Sequence, residues 1–148
     1  MVIPADVRAQ LVEHSEREAP NEACGLVLLR SGRAERYEPG RNAAASPYRF
    51  ELELDDPEIW FAEDDGYELA VFHSHISAPA RPSRTDVENI GLWEGKPYLV
   101  YSIHSDDLAA FRIEDGQIES IPVSEQRGTS PSCRRRHAGR TGTRSDRA

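Results

Sequence analysis

What most restricts the fold of this 148-residue chain is that its apolar residues come in short runs. Gly25-Leu26-Val27-Leu28-Leu29, Leu69-Ala70-Val71-Phe72 and Tyr98-Leu99-Val100-Tyr101-Ser102-Ile103 stand between polar or turn-forming residues. Such runs suit buried strands, and none approaches the roughly 18 apolar residues that cross a bilayer. The middle run leads directly into His73-Ser74-His75. A strand that looks central therefore ends in two imidazoles.

The remaining elements can be read around these strands. Ile3, Val7 and Leu11 recur at i, i+4, and Pro4 sits where a helix can begin, so a helix is expected from about Pro4 to Glu18. Ser31-Gly32 turns the first run back into Ala34–Glu38 as a hairpin. Tyr48-Arg49-Phe50-Glu51-Leu52-Glu53 alternates with period two, predicting a half-exposed strand. Asp56, followed by Pro57, opens a short helix bearing Ile59, Trp60 and Phe61. Ser83, with Asp86 three residues on, begins a helix expected to reach about Trp93. Leu108–Ile113 and Gln117–Val123 form a closing hairpin through Asp115-Gly116. The fold class is α/β (α+β), a mixed sheet flanked by helices in a single domain of residues 1–124.

Charge divides the chain at the same place. Residues 1–126 carry a formal −14 and residues 127–148 a formal +6, the latter from seven arginines against one aspartate. From Arg127 onward there is no Val, Ile, Leu, Met or aromatic residue, so the Arg-rich tail, taken as 125–148, is expected to be disordered. The acidic body argues against a phosphate-backbone partner, although the tail alone has the composition of a nucleic-acid arm. No basic segment followed by an apolar run opens the chain, and the expectation is a cytoplasmic protein with no membrane partner. Cys24 lies in an apolar stretch and Cys133 in the tail, with no CxxC, so a thiolate-rich zinc site is excluded. A metal here must be held by nitrogen and oxygen.

Side chains at i and i+2 of a strand share a face, so His73 and His75 project together. Asp86 stands in the first turn of the next helix, within reach if the loop folds back. Two neutral imidazoles and one carboxylate suit a single Zn²⁺ per chain with a fourth position left for water; iron and cobalt accept the same set. Glu22, immediately before the first buried strand, is the candidate general base, and Ser83 the candidate donor to a developing oxyanion. Taken singly, the histidines read as polar surface, Ser83 and Asp86 as a helix start, and Glu22 as a solvated acid. Taken together they supply ligands, base and oxyanion donor. His14, His104 and His137 have no partners at ligand spacing and are read as surface residues, while Trp60 and Trp93 are read as packing anchors. Asn42 lies in a loop where it could touch a substrate.

His73-x-His75, seven residues, Ser83, two residues and Asp86, with Glu22 upstream in Asn21-Glu22-Ala23-Cys24-Gly25-Leu26, resembles the JAMM (MPN-plus) metallopeptidases. The resemblance spans roughly residues 2–123. It implies His73, His75 and Asp86 as zinc ligands, Glu22 as general base and Ser83 as oxyanion stabiliser. It also implies a substrate, the C-terminal tail of a ubiquitin-like or sulfur-carrier protein, cut at the amide or isopeptide bond after its final glycines. Within the family, Pro82-Ser83-Arg84-Thr85-Asp86-Val87 and Phe111-Arg112-Ile113-x-Asp115-Gly116 look most similar to actinobacterial members that release cysteine from a sulfur carrier. Two features depart from the common pattern: Ile76 where many members have proline, and a short Asp55–Gly66 segment. The latter favours a small processing enzyme over a deubiquitinase-like isopeptidase. A local basic patch at Arg41, Arg81 and Arg84 would offset the acidic body when an acidic carrier approaches. The competing readings are a non-catalytic MPN scaffold that binds a protein partner and a zinc hydrolase acting on a small amide.

Overall fold

Proline has no amide proton to donate and a φ already suited to helix entry. In the computed structural model of the chain, which describes residues 1–126, Pro4 sits at φ −63° and helix α1 runs Ala5–Glu18 behind it. Val7, Leu11 and His14 lie on its buried face, one or two turns apart. His14 is thus not at the surface. Its position continues the apolar stripe, and its Nδ1 lies 2.6 Å from the buried Tyr37 hydroxyl, which satisfies the ring inside the core. His104 is exposed, and His137 lies outside the described residues.

The three apolar runs become β2 (Cys24–Arg30), β6 (Glu68–His75) and β7 (Tyr98–Ser102). Around them are β1 (Val2–Pro4), β3 (Arg33–Pro39), β4 (Arg41–Asn42), β5 (Leu52–Glu53), β8 (Asp107–Glu114), β9 (Gln117–Ile121) and β10 (Ser124–Gln126). Eight of these make one mixed sheet in the order β10-β1-β3-β2-β6-β7-β8-β9. β2 and β3 form the first expected hairpin. β8 and β9 form the second, where Asp115 and Gly116 both take positive φ, as a tight two-residue turn requires. Strand β6 pairs antiparallel with β2 and parallel with β7, and that parallel step is a crossover carrying two short helical turns.

Alternation along β6 sorts its side chains onto two layers. Ala70 and Phe72 join Val27, Leu29, Leu99 and Tyr101 in the core beneath α1. Leu69 and Val71 face the other way, with Leu26 and Leu28 on one side and Tyr98, Val100 and Phe111 on the other. The second layer is roofed by a 3₁₀ helix, Pro57–Asp65, whose Ile59 and Ala62 are buried three residues apart, the spacing that eclipses on a three-residue turn. Asp56 caps it by accepting the Glu58 amide at 2.9 Å. Trp60 and Trp93 stack with ring centres 5.8 Å apart, as packing anchors should. By parity, His73 and His75 belong to this second layer.

Two further expectations need correction. Tyr48–Glu53 is not a strand; only Leu52–Glu53 pairs, with β4, because the Asn42 side chain rather than a neighbouring strand takes up the Arg49 carbonyl and the Glu51 amide. The helix expected over Ser83–Trp93 is α2 (Arg84–Glu88) followed by a separate 3₁₀ turn, Gly91–Trp93, with the break at Asn89-Ile90, just before Gly91 takes φ +48°. Val2–Pro4 is a short strand before the helix, seated between β10 and β3. Strand β10 straddles the boundary expected at residue 124, and the Arg-rich segment beyond it lies outside the described residues. No helix among the described residues is long and apolar enough to cross a membrane.

Candidate metal centre

The site forms where β6 runs out. His73 and His75 are both buried, and β6 is held straight by β2 and β7, so the two imidazoles stay on one side of a stiff ribbon. Ser74, between them, points the other way. Its hydroxyl accepts the Ala23 amide at 2.9 Å and its amide donates to the Ala23 carbonyl at 3.0 Å. That double clasp fixes the residue next to Glu22. The Glu22 backbone is pinned as well, its amide donating to Ser46 and its carbonyl accepting from Asn42 Nδ2 at 3.0 Å.

Beyond His75 the chain folds back through Pro79 and Pro82 to the capping box that Ser83 and Asp86 predict. Asp86 donates its amide to Ser83 Oγ at 3.0 Å, and Ser83 returns its own amide to Asp86 Oδ2 at 2.9 Å. The same Oδ2 lies 3.1 Å from His73 Nε2 and 3.1 Å from His75 Nε2, and the two nitrogens are 3.1 Å from each other. Three ligand-type atoms thus form a nearly equilateral triangle. Tetrahedral zinc with bonds of about 2.0–2.1 Å separates its ligands by about 3.3 Å, so the triangle fits a single ion of that size.

His75 Nδ1 lies 2.8 Å from the Pro79 carbonyl. A carbonyl can only accept, so Nδ1 carries a proton, and Nε2 is the nitrogen left to offer a lone pair to an ion. Without an ion, the burial cost of the Asp86 carboxylate is outweighed by its bonds to His73 and His75, which hold it well below the usual range. Burial lowers His73 despite the Asp86 carboxylate; at His75 the bonds from Asp86 and Pro79 overcome burial and raise it.

Glu22 stands beside the triangle. Its carboxylate oxygen and a nitrogen of each histidine all lie within 4.8 Å of one another, close enough for the three to face one ion. It is 2% exposed, and its Oε1 has no hydrogen-bond partner among the described residues. Burial pushes this carboxyl up to about 8, with His75 opposing and Asp86 adding to the rise. A buried, unpartnered carboxyl beside a metal-sized triangle is placed to handle a proton there.

Two clefts meet at these residues, each of about 330 Å³. One is walled by the extended stretch Arg49–Leu52 and by Ile90–Trp93, and reaches Asp86 and Tyr98. The other is lined by Glu22, His75 and Ser83, with Pro20, Pro47 and Tyr48. The five residues singled out in the sequence are brought together. Of the residues of the expected basic patch, Arg41 is tied to Glu53 and Asp55, and Arg84 to Glu88. Asn42 faces inward and serves the loop backbone instead of presenting its amide to the cleft. Sequence reasoning missed Ser74 and the supporting role of Asn42, because each acts through partners 20 or more residues away or through a loop with no periodic pattern.

The chain matches a family described as prokaryotic homologs of the JAB domain over residues 4–114. It is 36% identical over 132 residues to the CysO-cysteine peptidase of Mycobacterium tuberculosis, covering 84% of this chain and 90% of that one. It is 32% identical over 129 residues to a probable TtuB-protein conjugate cleaving protease of Thermus thermophilus, covering 83% and 82%. A JAB1/MPN domain protein from Archaeoglobus fulgidus shares its fold, with a TM-score of 0.56 at 16% identity over 85% of this chain and 97% of that one.

Proposed function

This chain belongs to the family of prokaryotic homologs of the JAB domain and is a hydrolase; from that premise we propose that it is a zinc-dependent peptidase cutting the amide or isopeptide bond after the C-terminal glycines of a ubiquitin-like sulfur carrier, and releasing cysteine or another adduct. The observation that carries the reading is the triangle of His73 Nε2, His75 Nε2 and Asp86 Oδ2 with the unpartnered Glu22 carboxyl beside it. The relatives' names supply the substrate class.

His73, His75 and Asp86 would hold a zinc ion, which when bound would act as a Lewis acid and lower the pKa of a water toward about 7. Glu22 takes the proton that the attacking water gives up. It then delivers that proton to the amine nitrogen as the carbon–nitrogen bond breaks, so one carboxyl serves as base and then as acid. Ser83 donates to the carbonyl oxygen as charge builds there. Its oxygen already accepts the Asp86 amide, which leaves its own hydrogen free for that bond. The groove between Arg49–Leu52 and the Gly91–Trp93 turn suits an extended tail without side chains, the shape a Gly-Gly terminus presents.

The test is hydrolysis of a carrier–cysteine adduct and a carrier–lysine adduct, beside a panel of small amides, by zinc-loaded protein. Wild type should release the carrier with its C-terminal glycine free, and Glu22→Gln should keep its zinc while losing turnover by about 10²–10⁴-fold. Full activity in Glu22→Gln removes the assigned base. Cleavage of small amides alone removes the carrier as substrate.

A further inference from the structure

Metal-binding imidazoles are ordinarily aimed by a hydrogen bond at their second nitrogen. His75 obeys this rule through the Pro79 carbonyl. His73 does not: it is fully buried, and its Nδ1 has no hydrogen-bond partner among the described residues. Away from the ligand triangle, what packs against its ring is aromatic. Phe50 lies against it face to face, with ring centres 4.6 Å apart and planes 19° from parallel, and Tyr98 meets it edge-on at 5.2 Å and 67°.

We infer that Phe50 is a positioning residue, which holds His73 at the ligand triangle by stacking where a hydrogen bond would otherwise do so, and that Asn42 holds Phe50 in place. Tyr98 needs no such help, being part of the stiff strand β7. Phe50 lies just outside the β4–β5 ladder, where the nearest backbone bond is from the Ala43 amide to the Glu51 carbonyl at 2.8 Å, and the Arg49 carbonyl and Glu51 amide beside the ring are left without a strand partner. Asn42 supplies the anchorage. Its Nδ2 donates to the Arg49 carbonyl and its Oδ1 accepts the Glu51 amide, each at 3.0 Å, so the two peptide groups flanking Phe50 are bound by one side chain. The same amide donates to the Glu22 carbonyl and accepts the Ala44 amide, each at 3.0 Å. Both donors and both acceptor positions of the asparagine are then in use. One side chain therefore sets the backbone under the proposed base and, through Phe50, the aim of a proposed ligand. Phe50 also lines the groove proposed for the substrate tail, so an occupant of that groove rests on the ring that aims His73.

The inference rests on the zinc reading of the triangle, and its test is kept apart from catalysis. Zinc dissociation constants are measured by competition with a chromophoric chelator for wild type, Phe50→Ala, Phe50→Tyr, Asn42→Ala and Trp60→Ala, with no substrate present. Phe50→Ala and Asn42→Ala should weaken zinc binding by about 10–100-fold, the range for lost support around a ligating histidine. Phe50→Tyr, which keeps the ring, should stay within about threefold of wild type, and so should Trp60→Ala, which opens the same groove away from His73. In the metal-free proteins, imidazole C–H resonances of His73 should lose the ring-current shift in Phe50→Ala and retain it in Phe50→Tyr. Wild-type affinity in folded Phe50→Ala overturns the inference, as does an equal loss in Trp60→Ala. A wild-type protein that binds no zinc overturns the proposed function and this inference together, which separates the two failures.

Discussion

Replacing Glu22 by Gln keeps the size of the side chain and removes its charge, and in the metal-free protein it should raise stability at neutral pH. Burial lifts this carboxyl from an ordinary 4.5 to about 8, with His75 pulling it down and Asp86 pushing it further up. In the unfolded chain the same group ionises near its ordinary value. Between those limits the folded state keeps a proton that the unfolded state has released, so rising pH favours unfolding and the stability lost is complete only above the folded pKa. The loss is at most about 1.4 kcal/mol per pH unit, which comes to about 2.5 kcal/mol between pH 5 and pH 7. Gln has no proton to lose, so the variant lacks this slope, while His75 and Asp86 titrate in both proteins. Urea denaturation of chelator-treated wild type and Glu22→Gln, from pH 5 to pH 8, gives the two stability curves by linear extrapolation. The gap should widen in the variant's favour as pH rises and level off near pH 8. Parallel curves would show that Glu22 ionises normally in the fold, and the argument from its burial would be refuted. Saturating zinc should flatten the wild-type slope, because a neighbouring cation favours the carboxylate.

Ser83→Ala should lower kcat by about 10²–10³-fold with little change in KM, and denaturation should show a further loss of about 1 kcal/mol from the missing cap; an effect on KM alone would deny Ser83 its oxyanion role. In Gly25→Ala the new methyl would sit 2.5 Å from the Glu38 carbonyl oxygen and 2.6 Å from the Tyr37 ring, and thermal melting should report a destabilisation of about 1–3 kcal/mol. Tyr37→Phe removes the hydroxyl 2.6 Å from His14 Nδ1, leaving that buried nitrogen unpaired at a cost of about 1–3 kcal/mol, measurable by the same melts.

The parts of the fold that could be read in the sequence are those whose pattern is local. The apolar runs around Leu26, Val71 and Val100 became buried strands because an uninterrupted apolar ribbon needs cover on both faces. Asp115-Gly116 marked its hairpin through backbone freedom alone. His73 and His75 were legible as a pair because strand parity is exact, and Asp86 because a box of Ser83 and an acid three residues on announces a helix start. The failures have a common cause. Tyr48–Glu53 alternates because Phe50 and Leu52 are each fastened to the second layer, not because a neighbouring strand pairs with them. His14 looked solitary until Tyr37, 23 residues away, supplied its partner. Ser74 and Asn42 are polar residues without a pattern, and what they clasp is decided by the sheet order.

One oxygen, Asp86 Oδ2, both closes the first turn of α2 and completes the ligand triangle. A helix of five residues has too few internal bonds to persist unaided. If zinc is held there as proposed, ion capture and the winding of that turn are coupled. On that proposal, a molecule stripped of the ion would fray more readily at α2, and limited proteolysis would find the loosened turn beside the cleft lined by Ser83 and Thr85.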